Sequence, residues 1–572
     1  MAQSPGGRGG TNSATAAKTV TRTGSRGTVR PGGKTASQKA VKTTSSAVRK
    51  TAGTGKGSKP VASRNARHAT VLDAAKHLPG LPALTARLTP PPGRAVAEAI
   101  RQPEAFLRHA RQLPAAGAML RDAVEPILTG KVDDWRAEYA YTTGVQAFIY
   151  GFPYIYNAKL RHDWIAASKQ PAFPHAAVNH FWHATRPVDA TYRGGGCPDS
   201  DVLYSLAWVD VSREPVILSH PNMASRYFAF ELVAFSSDNF DYVGQRSTGK
   251  NAGHFAICGP AWKGRLPAGV KKTQAAPTPW LLVLGRTLVD GQQDIARVRG
   301  LQDQYLLTPL SAWGKPRAKL PIRRAVYKPG EPELDPLAPW KSLNAMLAEN
   351  PPPPHHALLL DQFARIGIGP GLKPEAQPDP IRRGLIRAAA VGMPLLRQEF
   401  LSGGSATAVY GWRYPSANEG RFGDDFLRRA ADQSLAGIAS NDPAEAVYLI
   451  GFEDADGKRL SPKGRYRLHF SPGQIPPADA FWSLTAYSEQ DLSLIPNAAA
   501  RYSVGSRTAG LRREPDGSLT IYLQPSSPGS ARMANWLPTS REHPWFVILR
   551  LYRPGRSVAQ GKWKCPGLVK VS

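Results

Sequence analysis

The sequence predicts an α+β protein that is mainly β with helical segments and carries a basic N-terminal tail. Two long stretches, 179–310 and the chain after 446, show apolar residues with a period of two, as in strands. Helical periodicity fills the region between them. Short strands bounded by Pro and Gly turns, without regular βα alternation, favour a β-sandwich or barrel over a parallel sheet.

The N-terminal tail, residues 1–67, consists mainly of Gly, Ser, Thr, Ala, Lys and Arg and has no apolar periodicity. It is therefore predicted to be disordered, because it cannot bury enough apolar surface to offset the entropy of ordering. One interpretation is an arm that binds nucleic acid non-specifically through released counterions, and the other is a solubilising tail without a partner. The candidate phosphate-contacting residues are Arg22, Arg26, Arg30, Lys34, Lys39, Lys42, Arg49 and Lys50.

The start of the chain has no apolar segment of the kind found in a secretory signal. A cytoplasmic location is therefore expected, with export by another route left open. The longest near-apolar stretch, 280–289, is too short to span a membrane, so no membrane span is expected.

The first β-domain is predicted over 132–320, after short helices at 68–131. A helix over 133–150 begins at Asp133 or Asp134 and ends before the Gly151-Phe-Pro sequence. Strands follow at 202–211, 227–233, 255–258 and 280–284. The first is apolar on both faces, as a central strand should be, and the second places Phe228, Phe230 and Leu232 on one face.

A helical region over 321–445 separates this domain from a C-terminal β-domain over 446–572. Eight prolines within 329–354 predict a stiff connection, and helices are predicted at 357–366, 381–400 and 426–438. In the C-terminal domain, strands are predicted at 466–470, 519–524 and 546–552. The dipeptides Asp456-Gly457 and Asp516-Gly517 predict tight turns.

The sequence contains none of the common catalytic motifs in complete form. The segment 244–251 almost matches a phosphate-binding loop, but Asn251 replaces the hydroxyl residue and a strand follows, so a hairpin loop is predicted. No G-x-S-x-G motif occurs, and Cys197 has no assignable catalytic partner. The three cysteines form neither a disulfide framework nor a zinc motif.

Five residues of the first β-domain are candidates for a ligand site. Asp201, Tyr204, Arg226 and Arg246 lie on or beside apolar segments, and Arg and Tyr side chains can hold an anionic or carbonyl-bearing ligand. His183 is the candidate for proton transfer, because its pKa lies near neutrality. The alternative is that Asp201 forms a structural ion pair with Arg226 or Arg246.

The sequence predicts no metal site. His180 and His183, with Asp199 and Asp201 nearby in sequence, could form a His/carboxylate site, but on a strand the two histidines would point to opposite sides. The pair His355-His356 is a weaker candidate. We expect no metal and no cofactor.

Short patterns in two blocks resemble two families of unknown function. The first block contains NHFWH (179–183), PDSDVLYSLAWVDV (198–211), RYFAFEL (226–232) and GQRSTG (244–249). The second contains PPADAFWSLTAY (476–487), RYSVGSRTAGL (501–511), DGSLTIYLQ (516–524) and FVILRLYRP (546–554). Together they resemble the paired bacterial families DUF1254 and DUF1214.

The resemblance implies an immunoglobulin-like N-terminal sandwich, a helical middle region and a C-terminal jelly-roll-like domain. It implies no activity. This sequence departs from the usual pattern of relatives at Ser200 and Val202, while Asp201 and Tyr204 match it.

Three functions are compatible with the sequence. The first is the binding or processing of a small molecule in a cleft between or within the β-domains. The second is a structural or surface-interaction scaffold, and the third is association with nucleic acid through the basic tail. Whether the protein is an enzyme stays open.

Overall fold

The structure, a computed structural model, describes residues 134–167, 173–315, 325–403 and 408–571. The tail predicted at 1–67 and the short helices predicted at 68–131 lie outside the described residues. The described chain forms two β-sandwiches and a group of helices, so the α+β class is confirmed. The predicted domain limits stay predictions.

The first sandwich is built from nine strands. They are β1 Trp182–His183, β2 Val202–Asp210, β3 Val216–His220, β4 Phe228–Ala234, β5 Asn239–Gly244, β6 Gly253–Ile257, β7 Val270–Lys272, β8 Trp280–Leu288 and β9 Leu306–Pro309. One sheet has the order β1-β2-β8-β4-β5 and the other β7-β6-β3-β9. All neighbours are antiparallel except β6 and β7.

Alternation along β4 builds the core of this sandwich. Phe228, Phe230 and Leu232 point into the space between the two sheets, as the sequence predicts. The intervening Ala229 and Val233 point the other way, into a second core. The central strands are therefore buried on both faces, which explains their nearly unbroken apolar sequences.

The second sandwich contains ten strands. They are β10 Ala408–Val409, β11 Trp412–Arg413, β12 Ala446–Gly451, β13 Arg465–Phe470, β14 Ala478–Ser488, β15 Ser503–Gly505, β16 Leu519–Gln524, β17 Trp536–Pro538, β18 Trp545–Pro554 and β19 Val569–Val571. The larger sheet has the order β10-β11-β12-β18-β14-β15 and the smaller one β17-β16-β13-β19. In β13 the inward side chains are Tyr466, Leu468 and Phe470, as predicted.

Helices cover one side of the sandwiches. They are α1 Trp135–His162, α2 Ile295–Gln302, α3 Ala338–Glu349, α4 Ala357–Ala364, α5 Asp379–Ser402, α6 Phe426–Arg428 and α7 Arg556–Ala559. The Asp134 carboxylate caps α1 by accepting from the Arg136 N–H, as predicted. No helix in the described part of the chain is long and apolar enough to cross a membrane.

Helix α1 corrects one prediction, because it continues through Pro153 to His162 instead of ending at 150. Proline removes one intrahelical hydrogen bond, which normally ends a helix. Here Phe152 and Tyr154 are buried in the core beside it, and their burial outweighs that loss.

The proline-rich connection is also different from the prediction. It contains the twelve-residue helix α3, in which Pro339 lies in the first turn, where its missing N–H is tolerated. Trp340, Leu343 and Leu347 of this helix are buried. Apolar spacing within the proline-rich segment therefore decided the local structure.

Two further predictions need correction. The predicted helix at 426–438 is a single turn, α6, followed by a π-helical segment, Arg429–Ala436. The predicted hairpin loop at 244–251 joins β5 and β6, which belong to different sheets, so it is not a hairpin.

The larger sheets of the two sandwiches face each other. Tyr227, directly before β4, lies against rings of the second sandwich, with centroids 5.7 Å from Phe481 and 5.2 Å from Tyr552. This interface continues into the core that α1, α3 and α5 share with both sheets. Side chains on the outward faces of β2, β8 and β4 therefore meet those of β12, β14 and β18.

Candidate ligand-binding site

A cavity of ≈ 120 Å³ lies between the two facing sheets. Tyr204 and Arg286 line it from the first sandwich, and Tyr448 and Arg550 line it from the second. The segment that includes Glu419 and the π-helical turn closes one side. Cavities between domains are where small-molecule sites are usually built.

The 194–201 loop, directly before β2, enters this interface. Cys197 has a φ of 47°, which is uncommon for a residue other than glycine. Its N–H donates to the Leu492 carbonyl at 2.7 Å, and its carbonyl accepts from Arg550 Nη2 at 2.8 Å. Contacts to the second sandwich therefore hold this backbone in an unfavourable conformation.

Two carboxylates of the same loop are held from both sandwiches. Asp199 Oδ2 accepts from the Tyr552 hydroxyl at 2.5 Å, and the Asp199 N–H donates to the Tyr204 hydroxyl at 2.8 Å. Asp201 Oδ1 accepts from Ser503 Oγ at 2.8 Å. Burial raises the pKa of the Asp201 carboxyl, and the nearby Asp199 carboxylate raises it further.

Arg286 is a buried cation that forms an ion pair with a buried carboxylate. Its Nη1 lies 2.5 Å from Glu231 Oε2, and both side chains are buried in the first sandwich. The Tyr242 hydroxyl also donates to Glu231, at 3.4 Å. A buried pair of this kind neutralises itself, so it contributes no net charge to the cavity.

Arg550 has no such partner. Its side chain is 4% exposed, and no carboxylate oxygen among the described residues lies within 4.0 Å of it. Nη1 is buried and makes no hydrogen bond, while Nη2 bonds only to the Cys197 carbonyl. The guanidinium lies 5.6 Å from the Tyr448 ring and 5.3 Å from the Tyr487 ring. The two aromatic faces and the charge of the nearby Asp199 carboxylate offset part of the cost of burying this guanidinium. Nη1 is still a buried donor without a hydrogen-bond partner, which is unfavourable.

The hydroxyls and the thiol around the cavity stay protonated at neutral pH. Burial raises the pKa of Tyr204 to about 12 and the pKa of Cys197 to about 12. Burial also raises the pKa of Tyr448 and of Tyr552. The tyrosines are therefore neutral donors, and the Cys197 thiol lacks the thiolate form that nucleophilic chemistry needs.

The predicted site residues separate into two groups. Tyr204 lines the cavity, and Asp201 lies beside it at the interface. Arg226 binds Asp294 through both terminal nitrogens, at 2.5 and 2.7 Å, and is not part of the cavity lining. Arg246 pairs at 2.5 Å with the buried Glu445. Both arginines form ion pairs, but neither pairs with Asp201, so the structural ion pair of Asp201 named as the alternative is not found.

His183 lies away from the cavity. Its Nδ1 is 2.9 Å from Ser205 Oγ, and Ser205 points to the opposite face of β2 from its neighbour Tyr204. Burial lowers the pKa of His183 to about 4, so the ring is neutral at physiological pH. The structure therefore does not bring His183, Arg226 and Tyr204 together around one ligand.

Two buried arginines of the cavity wall are not among the site residues predicted from the sequence. Arg286 is the lone charge of the strand WLLVLGRTL. Arg550 lies within the apolar run of WFVILRLYRP, whose second charge, Arg553, is near the end of the strand. Charged residues are rarely fully buried unless they are paired or functional. That signal was present in the sequence and could have identified both.

Two regions of the chain match families of unknown function. Residues 178–309 match the family described as "Protein of unknown function (DUF1254)", and residues 445–556 match "Protein of unknown function (DUF1214)". The chain combines a DUF1254 region with a DUF1214 region. The resemblance inferred from the sequence is therefore confirmed. The DUF1254 region contains Tyr204 and Arg286, and the DUF1214 region contains Tyr448 and Arg550, so each supplies one wall of the cavity.

A solved structure shows a similar fold. A crystal structure of a Vibrio parahaemolyticus protein, a structural genomics target, is 21% identical with a TM-score of 0.55, covering 76% of this chain and 100% of the other. An uncharacterized protein from Burkholderia cenocepacia is 13% identical with a TM-score of 0.37, covering 78% and 98%. Comparison with curated proteins gives no match.

Proposed function

We propose that the protein binds a small carboxylate-bearing molecule in the cavity between the two sandwiches. The observation that carries this proposal is Arg550, a buried guanidinium in the cavity wall with no carboxylate partner among the described residues and an unbonded Nη1. A buried charge of this kind is stabilised by an anion. A guanidinium also matches the geometry of a carboxylate, because its nitrogens can donate two parallel hydrogen bonds.

Part of the wall suits an organic acid with an apolar body, and the acidic residues Asp199, Glu399, Glu419 and Asp432 line other parts of it. The Tyr204 and Tyr448 hydroxyls line the same cavity and can complete the hydrogen bonds of a bound carboxylate. Leu206 and Ile548 line it as well and can contact a hydrocarbon portion. An inorganic anion would contact only the polar side chains of the wall.

The proposal is limited to binding. Burial keeps the Cys197 thiol protonated, so it does not supply a nucleophile. Glu419 also lines the cavity, and burial raises the pKa of its carboxyl, so the wall does contain a group that could exchange a proton with a bound molecule. His183 lies on the opposite face of β2. The basic tail lies outside the described residues, so nucleic-acid binding stays a prediction from sequence.

Calorimetric titration of the full chain with matched ligands tests the proposal. Benzoate and hexanoate are compared with benzamide and hexanamide, which keep the shape and lose the charge. At least one carboxylate should bind more than about tenfold tighter than its amide. Hydrogen bonds to a charged group contribute more free energy than neutral ones, and the difference corresponds to about that ratio of affinities. Arg550→Gln should abolish the preference.

Two further variants separate ligand binding from folding. Arg467→Gln removes an exposed arginine from β13, in the smaller sheet of the second sandwich. This variant should bind the carboxylates like the unmodified protein. Ala439→Leu fills the cavity without changing its charge and should also abolish binding. Equal binding of acid and amide, or an unchanged preference in Arg550→Gln, would refute the proposal.

A further inference from the structure

We propose that His355, His356 and Asp424 form a binding site for one divalent transition-metal ion of the zinc class. One ligand atom from each residue lies within 4.8 Å of the others. No other group of three or more His, Cys, Asp or Glu side chains among the described residues meets this distance. None of the three lines the cavity, so the site is independent of the proposed carboxylate site.

The backbone brings the two imidazoles to one carboxylate oxygen. His355 and His356 lie on a 3₁₀ turn, Pro354–His356, that follows three further prolines, so the turn is stiff. Their ring centroids are 4.3 Å apart at an interplanar angle of 72°. His355 Nε2 lies 3.3 Å and His356 Nε2 2.8 Å from the same oxygen, Asp424 Oδ1.

The second ring nitrogen of His356 is hydrogen-bonded, as it usually is in metal-bound histidines. Its Nδ1 lies 3.1 Å from the Tyr150 hydroxyl, and its ring packs edge-on against Phe426 with centroids 5.3 Å apart. A hydrogen bond on the second ring nitrogen fixes the tautomer and the ring orientation of metal ligands. Without a metal, Nε2–H can donate to Asp424 Oδ1 while Nδ1 accepts from the Tyr150 hydroxyl. A bound cation would take the place of the Nε2 proton, and Nδ1–H would then donate to the Tyr150 oxygen.

The charge and exposure of the group also suit a metal ion. The nearby Arg429 guanidinium is paired with Asp238 at 3.1 Å, which reduces its repulsion of a cation.

His355 and Asp424 are about two-thirds exposed, at 62% and 64%, so solvent reaches the site. Two imidazoles and one carboxylate leave at least one coordination position to water, as in open zinc sites. Imidazole nitrogen favours zinc and its neighbours over magnesium or calcium. This proposal departs from the sequence analysis, in which His355-His356 was a weak candidate.

Metal titration of the full chain, after removal of any affinity tag and treatment with chelator, tests the site. Co²⁺ is followed by its visible absorption and Zn²⁺ by calorimetry. The unmodified protein should bind one equivalent. His355→Gln and Asp424→Asn should each lower the affinity at least about tenfold, since each removes a ligand, and loss of even a supporting residue costs 10–100-fold.

His543→Gln is the matched control, because His543 is an exposed histidine beside Glu542 and should contribute nothing to this site. Both test positions are exposed, so the variants should fold, and thermal unfolding without metal verifies this. Added Zn²⁺ should raise the unfolding temperature of the unmodified protein and not that of Asp424→Asn. Absence of one-equivalent binding, or equal affinity in Asp424→Asn, would overturn the proposal.

Discussion

The hydroxyl of Tyr552, on the last long strand of the C-terminal sandwich, donates a 2.5 Å hydrogen bond to Asp199 in the loop that precedes β2. Both residues are buried, and they are 353 positions apart in sequence. The same loop accepts from Arg550 through Cys197 and from Tyr487 through Pro198. The 194–201 loop therefore joins the two sandwiches and forms part of the cavity wall.

Tyr552→Phe should lower the free energy of unfolding by about 1–3 kcal/mol, because it leaves a buried carboxylate oxygen without its donor. Denaturant unfolding measures the effect. Tyr522→Phe is the matched control: Tyr522 is a partly exposed tyrosine on β16, and its loss should cost less than about 0.5 kcal/mol. Equal costs for the two variants would show that the Tyr552 hydrogen bond does not stabilise the interface.

The Asp201 carboxyl should make stability depend on pH. Its pKa is raised in the folded protein above the unfolded value of about 3.9, so the folded state binds more protons between the two values. The contribution of Asp201 is therefore present at low pH and lost as the pH rises through the folded pKa. Asp201→Asn removes this titration.

The unfolding free energy of Asp201→Asn, relative to the unmodified protein, should increase as the pH rises from about 4 to about 8. Denaturant unfolding at several pH values measures this difference. Asp479→Asn replaces an exposed carboxylate on β14 and should show no such trend. A difference for Asp201→Asn that is constant across this range would contradict the raised pKa.

The fold could be predicted from sequence where the local pattern and burial agree. In β13 and β4, strict alternation identifies both the strand and its inward face, because each side of the strand meets a different environment. The rule that proline ends a helix gave wrong predictions where burial of neighbouring side chains favours the helix. Helix α1 passes through Pro153, and α3 forms within a proline-rich segment, because both bury large side chains.

The candidate site was harder to predict than the fold. Tyr204 was identified, but Arg550 comes from a strand almost 350 residues later, and one sequence contains no information on which sheets face each other. Arg226 looked equivalent to Arg550 as a charge beside an apolar strand. Only the structure shows that Arg226 is paired with Asp294 and that Arg550 has no carboxylate partner among the described residues.

The basic tail allows a prediction from sequence alone. Deleting residues 1–67, which contain many Lys and Arg and no acidic residue, should greatly weaken any binding to duplex DNA. The salt dependence of the remaining binding should become shallow, because fewer counterions are released. Fluorescence anisotropy at several salt concentrations measures both. The thermal transition should stay unchanged, and a large drop would show that the tail stabilises the fold.

Substitution of Trp208 tests whether β2 is a central strand with one face buried against the helices. Its side chain is 3% exposed, and its ring lies 6.4 Å from Trp164 and 5.6 Å from Phe235. Trp208→Ala should cost about 3–5 kcal/mol, because it leaves a cavity that the surrounding strands and helix cannot fill. Trp135→Ala is the matched control, since Trp135 is 62% exposed on the first turn of α1, and its loss should cost less than about 1 kcal/mol. Denaturant unfolding compares the two. A cost below about 1 kcal/mol for Trp208→Ala would place β2 at a surface, and the interface that holds the cavity would then have to be reconsidered.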